Sequence, residues 1–443
     1  MATRSLWLAT AAVAIAATIL PATTGEATTG QADTKIAVVP ASIDATGAND
    51  VTDELNSFLS FLSDGTTVRF PAEGRFRIEG TVRIDEKDRM VIEGNGATLF
   101  SKSQGGLKRR HLEVTGGTNL TISRLTIAGS HPEGGLGDNA YQAKLEGQHG
   151  ISILGTSGVN IDDVTITDVY GDFIYLGRSD DGRWARRIWI HDSTLTRNGR
   201  QGIAIVAGQD VVIERNDISQ VARSTIDLEP NAPSGGAINI HVLRNEVGPG
   251  RLLFLAASGR GPVGSVVISA NRLTGRALSA TILPPPGERG NRFWITGNRG
   301  GGLSAPTPIK VNRVDGLVVW RNRQPVRQGQ VGVRASEVCG LNVTENDFGQ
   351  LAAPTEEAGP TCAFDLGLVP PDPPAVFGRP QAPEPATVVP DSTPEEEPDD
   401  GPAGVIGTTE ERPNWGITIT LGVLAAILLG AAIVTSARRP GRR

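Results

Sequence analysis

Asp227 and Glu229 stand two residues apart in the stretch Thr225-Ile226-Asp227-Leu228-Glu229-Pro230. On an extended strand this spacing puts both carboxylates on one face, with backbones about 7 Å apart. Paired carboxylates act as acid and base, or as acid and nucleophile, on a glycosidic bond, and their separation decides the stereochemical outcome. A second set of reactive side chains lies upstream: His149, Asp172, Tyr175, Arg200, Gln201 and Arg223. The set comes into line when four stretches are superposed: His149-Gly150-Ile151-Ser152-Ile153, Asp172-Phe173-Ile174-Tyr175-Leu176, Gln201-Gly202-Ile203-Ala204-Ile205 and Ser224-Thr225-Ile226-Asp227-Leu228. With the first isoleucine of each pointing inward, the residues on either side point outward. One outward column then holds Ser152, Tyr175, Ala204 and Asp227; the other holds Gly150, Phe173, Gly202 and Thr225 and leaves a trough. His149, Asp172, Gln201 and Ser224 stack where each stretch begins, with Arg200 and Arg223 one residue earlier. Asp172, Asp227 and Glu229 are the candidate catalytic residues, and His149, Tyr175, Arg200, Gln201 and Arg223 the candidate substrate-binding ones. Lyase chemistry would use the set differently, with a base at the C5 proton of a uronate and a cation against its carboxylate, for which Arg200, Arg223, His149 and Tyr175 are available. The sequence does not choose between the two.

Each residue also has a plainer reading. Outward charges keep any repeat protein soluble, so Asp172 or Glu229 alone is an ordinary surface charge. His111, His131, His149, His191 and His241 share no single spacing and read as structural or solvated. Only the combination of Asp227, Glu229 and Arg200 beside a glycine-lined trough points to a site.

The elements that must hold these residues announce themselves by repetition. A phrase of two apolar residues around a spacer, followed by a turn position, begins at Met90, Leu120, Val159, Ile188, Val211, Ile240, Val266, Phe293, Leu317 and Leu341. The intervals are 30, 39, 29, 23, 29, 26, 27, 24 and 24 residues, as expected for a fixed coil that sometimes carries an inserted loop. Within the phrase apolar residues alternate with period two and are largely β-branched, which makes each copy a strand with one face in a core. About ten such coils stacked in parallel register form an all-β parallel β-helix. Asn95, Asn216, Asn245, Asn271, Asn298, Asn322 and Asn346 occupy the turn position. Asparagine tolerates a left-handed corner and can bond to its counterpart one coil away, so an internal asparagine ladder is expected. Inserted loops at Gly129 to Glu146, Arg178 to Arg187 and Pro230 to Gly236 would wall the groove.

Residues 43–84 read Ile43-Asp44-Ala45-Thr46-Gly47-Ala48-Asn49-Asp50, then Leu55, Phe58, Leu59 and Leu62 at helical spacing, then Gly65-Thr66-Thr67-Val68-Arg69-Phe70-Pro71-Ala72. This segment resembles the N-terminal part of pectate-lyase-like (pectin lyase superfamily) proteins, and the resemblance continues to about residue 350. It implies a right-handed β-helix whose first coil is closed by a short helix. The scaffold serves lyases, hydrolases, epimerases and inert binders, so it says little about chemistry. The polygalacturonase motifs Asn-Thr-Asp, Gly-His-Gly and Arg-Ile-Lys are missing. No cofactor is expected, because histidines and cysteines do not cluster at ligand spacing. Family analogy alone suggests a calcium ion bridging Asp172, Asp227 and a uronate.

The ends of the chain speak to location. Residues 1–32 combine Arg4 with an apolar run and a small-residue stretch, as in a secretory signal peptide. Residues 33–89 are expected to form the cap and first coil, and 90–365 the β-helix. Residues 366–414, rich in proline and acids, read as a disordered stalk, with a reach of roughly 100 Å or more at about 3.1 Å per residue. Residues 415–437 carry no charge and are long enough to cross a bilayer. The tail 438–443, with Arg438, Arg439, Arg442 and Arg443, would stay in the cytoplasm. Cys339 and Cys362 are the only cysteines and are expected to pair outside the cell. A net charge of −6 argues against nucleic acid. The expectation is a monomeric, single-pass, membrane-anchored surface protein acting on an acidic polysaccharide or cell-wall glycan as lyase or glycoside hydrolase. The alternative is a non-catalytic glycan-binding or adhesive protein.

Overall fold

The structure, a computed structural model, describes residues 35–302, 307–327, 330–349, 353–359 and 362–381. The expected signal peptide (1–32), transmembrane helix (415–437) and basic tail (438–443) lie outside these residues. Among the described residues no helix is long and apolar enough to cross a membrane.

Val82, Leu112, Ile151, Ile174, Ile203, Ile226, Leu255, Ala280, Ile309, Val333 and Thr355 follow one another in parallel register, one per coil. The solenoid therefore makes about eleven turns, where the repeated phrase counted ten. Each central coil contributes three strands. In one coil these are Ile174–Gly177, Ala185–His191 and Thr194–Asn198. The first carries the candidate site, the second the apolar phrase, and the third belongs to a separate nine-stranded sheet. Stacked isoleucine, valine and leucine side chains fill one continuous core from Val39 to Phe348. The helix Thr52–Phe61 closes its N-terminal end, burying Leu55 and Leu59, which lie one turn apart. The Asp50 carboxylate accepts the Thr52 N–H (3.1 Å), and Asp53 and Glu54 occupy the first turn, where the helix dipole favours negative charge.

The asparagine ladder runs from Asn216 to Asn346. Each Nδ2 donates to the next Oδ1 at 2.9–3.0 Å, and each Oδ1 also accepts the N–H of the asparagine one coil before. Two details differ from expectation. The left-handed residue is the one before the asparagine, as at Arg215 (φ 55) and Arg244 (φ 52). Asn95 stands outside the ladder, because Thr98 pairs with Thr126 and so sets Ala97 in the column with Leu125. Asn271→Ala would leave the Asn245 N–H and amide without their acceptor, and it is expected to cost about 2 kcal/mol. A denaturation midpoint equal to that of the parent would refute the ladder's contribution.

The stalk does not begin at residue 366. Residues 362–381 turn back along the outside of the second-strand face and cover an apolar stripe of Trp189, Val212, Leu243, Val267, Trp294 and Val318. Trp294 Nε1 donates to Gly367 O (2.9 Å), and Arg379 Nε meets the buried Glu214 at 3.0 Å. Proline suits such a strap, since an extended segment lying on side chains needs no ladder N–H. A disulfide between Cys339 and Cys362 pins the strap where it leaves the last coils.

Candidate functional site

His149, Asp172, Gln201 and Ser224 sit at the corner that feeds the first strand of successive coils, and all four are buried. Each side chain of the first three serves the backbone of the next coil. His149 Nδ1 accepts the Asp172 N–H (3.1 Å), Asp172 Oδ1 the Gln201 N–H (2.9 Å), and Gln201 Oε1 the Ser224 N–H (2.7 Å). This is a second polar ladder, built like the asparagine one. Gln201, expected to bind substrate, is thereby committed to the scaffold. His149 keeps its proton on Nε2 because Nδ1 is an acceptor. Burial, together with Arg200 and Arg110, holds its pKa well below the usual histidine value, so it supplies no cation.

The column Ser152, Tyr175, Ala204 and Asp227 lies in register, continued by Ala256. The column before it is not the outward trough that strict alternation implied. Phe173 is fully buried in the main core, and Thr225 is buried beneath Arg276, whose Nη1 donates to Thr225 Oγ1 (2.8 Å). The backbone turns a corner there, so the period of two does not extend through it. A Cβ on Gly202 would come within 2.3 Å of Thr225 O, so that glycine is needed for coil packing rather than for an open floor.

Arg200 is the hub. Its Nη1 holds Asp172 (2.9 Å), its Nε faces Glu146 (3.4 Å), and its Nη2 faces Glu229 (3.5 Å). Burial opposes its charge, and Asp172, Glu146, Glu229 and Asp227 more than restore it, so its pKa lies above the ordinary arginine value. Burial pushes Asp172 up to about 7, against the pull of Arg200 and the Gln201 N–H. Asp227 is also pushed up to about 7, by burial first, then by Glu229 and Asp172. Among the described residues its Oδ2 makes no hydrogen bond of good geometry, although the Glu229 carboxylate lies close enough to favour the protonated form, and its strand neighbours are Ala204 and Ala256. Two such carboxyls beside a third cannot all ionise, so a proton is retained near neutral pH. Tyr175 stacks on His149 (centroids 4.7 Å, 9° between planes), and its phenol is raised by burial and by Asp172.

The loop following Gly129 folds over this cluster and brings two residues that the repeat pattern could not place. Tyr141 donates to Glu146 (2.8 Å), and the guanidinium of Arg223 lies over the Tyr141 ring at 4.7 Å. Arg223 therefore stands with the loop rather than with the carboxylates. Beyond Glu229 opens a cavity of about 450 Å³, lined by Asn231, Ser258, Arg260, Leu283 and Pro285.

The donor set does not suit calcium at Asp172 and Asp227. Both Asp172 oxygens are taken by Arg200 and the Gln201 N–H, and a guanidinium occupies the place of a cation. Among the described residues, Asp162, His191 and Asp192 also approach one another closely enough to share an ion. Arg215 already neutralises Asp192 there at 2.7 Å.

Residues 110–277 match the family described as the right handed beta helix region. No curated protein is detectably similar in sequence. Among solved structures, the endo-xylogalacturonan hydrolase of Aspergillus tubingensis is 12% identical with a TM-score of 0.56, covering 75% of this chain and 100% of its own. The family 28 exopolygalacturonase of Yersinia enterocolitica is 10% identical with a TM-score of 0.53, covering 74% and 78%. The Streptococcus pneumoniae surface protein and adhesin PfbA is 13% identical with a TM-score of 0.51, covering 73% and 100%. At these identities the likeness concerns the fold, and with the coil geometry it shows that the chain is a right-handed parallel β-helix protein.

Proposed function

We propose that the protein is a glycan-active β-helix enzyme of hydrolytic type, with Asp227 as general acid and Glu229 as the partner carboxylate. The observation that carries this reading is the buried Asp227 carboxyl, held protonated to about pH 7 beside the half-buried Glu229. Asp227 would protonate the leaving oxygen while Glu229, oriented by Arg200, serves as nucleophile or base. Asp172 fixes Arg200 and stays out of the reaction. Elimination fits less well at Asp227, since Arg200 is already shared by three carboxylates and His149 is neutral, so that a uronate carboxylate would have to be met from the cavity beyond Glu229, by Arg260. The secretory leader and the span at 415–437 belong to the same reading. The enzyme would be displayed at the cell surface on a linker of residues 382–414, whose reach is roughly 100 Å at about 3.1 Å per residue.

The test is incubation of the protein with acidic and neutral polysaccharides, following both reducing ends and the absorbance of unsaturated uronates. Reducing ends without that absorbance are expected. Unsaturated product would replace hydrolysis by elimination. Glycan binding without any product would favour the adhesive reading, to which the scaffold roles of His149, Asp172 and Gln201 already lend weight.

A further inference from the structure

A different face carries a second charged feature that the groove does not use. On the nine-stranded sheet, Glu246, Arg272 and Arg299 follow in register, and bridge pairing continues the column through Arg323 to Asp347. Three arginines thus stand on consecutive coils, their backbones about 4.8 Å apart along the stack. All three are exposed. The outer two have acids: Arg272 meets Glu246 at 2.7 Å, and Arg323 meets Asp347 at 3.4 Å. Arg299 lies between two cations and, among the described residues, makes no ion pair. The interior supplies no counter-charge either. Arg276, whose carbonyl accepts the N–H groups of Gly301 and Gly302, is itself a buried cation without an acidic partner among the described residues.

Beside these arginines lies an open cavity of about 350 Å³, with Gly275, Gly300 and Gly301 in its lining. Two of the glycines are closely packed: a Cβ on Gly300 would overlap Gln324 Oε1, and one on Gly301 would come within 2.5 Å of Leu273 O. Their missing side chains leave the guanidinium groups unobstructed.

We propose that Arg272, Arg299 and Arg323 bind an isolated anionic group, a carboxylate or sulfate, of an acidic glycan. Guanidinium forks suit carboxylate and sulfate oxygens, and an anion at Arg299 pairs the one guanidinium of the three that has no acid beside it among the described residues. Asp217, Glu246 and Asp347 close the ladder at both ends, so a polymer charged at every unit and lying along the stack would set its further charges against acids. A sparsely charged polysaccharide fits, whereas a nucleic acid strand, with a phosphate at every nucleotide, does not. The site stands apart from the groove and does not depend on hydrolysis.

The experiment measures binding of the full-length protein to hyaluronan, which carries one carboxylate per disaccharide, to dextran sulfate, to neutral dextran and to single-stranded DNA. Arg299→Ala is compared with Arg334→Ala, an exposed arginine paired with Glu356 on another strand. Hyaluronan is expected to bind in a salt-sensitive manner and more tightly than dextran sulfate, which is charged at every unit, dextran not to bind, and Arg299→Ala to weaken hyaluronan binding about tenfold while Arg334→Ala does not. Unchanged binding in Arg299→Ala, or equal binding of neutral dextran, would overturn the site. Tighter binding of DNA or of dextran sulfate than of hyaluronan would overturn the ligand class. Asp227→Asn is measured alongside: loss of binding in that variant instead of Arg299→Ala would return the ligand to the groove and sink the proposal. Thermal midpoints of both arginine variants equal to the parent's show that the comparison is made on folded protein.

Discussion

Asp227→Asn is expected to lower glycan hydrolysis by roughly 10²- to 10⁴-fold, the range over which a positioned general acid contributes, and to do so without unfolding the protein. Among the described residues the carboxyl makes no hydrogen bond of good geometry through Oδ2, and it has alanines on both neighbouring coils, so an isosteric amide fits. The pH dependence has a definite sign. The folded pKa is about 7, above the ordinary aspartate value of 3.8, so the folded state holds the proton more tightly than the unfolded chain. Stability from this group is fully present below about pH 4 and is lost as pH rises through 7. Activity should fall over the same upper limb as the acid deprotonates. In Asp227→Asn, stability should decline less between pH 4 and 7 than in the parent, because one of the two raised carboxyls is gone. An unchanged turnover in the variant, measured as reducing ends at pH 6, would remove Asp227 from the chemistry.

The fold was legible because a solenoid repeats its physics. Alternating β-branched residues and a turn position every 23 to 39 residues give coil, register and ladder together, and the column Ser152, Tyr175, Ala204 and Asp227 was readable for that reason. What alternation could not describe was the corners and whatever lies outside the coil. Phe173 sits inward because its backbone is turning, not extended. His149, Asp172 and Gln201 looked like a polar groove because sequence shows chemistry without showing which backbone N–H each group satisfies. Glu146 and Tyr141 come from an inserted loop with no period to place them. The strap was hidden by its composition: proline and acids suggest a free linker, but Leu366, Leu368 and Val376 within that stretch mark a segment with something to bury. Trp189, Trp294 and Val267, apolar at positions where alternation points outward, were the complementary signal.

Arg200→Met should show how far the cluster is held together by one cation, and its signature is a pH-dependent loss of stability. Asp172 is fully buried, and among the described residues Arg200 is its only ion-pair partner besides the neutral His149. With arginine present, burial already raises Asp172 to about 7. Without it, the folded pKa must rise further, since the first cause remains and the main opposing one is gone. Below pH 7 the carboxyl is protonated in both proteins, and the variant should lose little beyond packing. Above pH 7 the parent ionises against arginine while the variant must keep its proton, so the gap should widen by about 1.4 kcal/mol per pH unit, toward the 3–5 kcal/mol typical of a broken buried pair, taken here as roughly the ceiling. Glu146 and Glu229 are partly solvated and add little. Denaturation midpoints at pH 5.5 and 8.5 should therefore differ between parent and variant by about 2 kcal/mol more at the higher pH. Adding Asp172→Asn to Arg200→Met should flatten that dependence, because a neutral amide can still accept the Gln201 N–H. A loss equal at both pH values, or one that Asp172→Asn does not relieve, would mean that Arg200 acts through its packing and not through the charge it brings to Asp172.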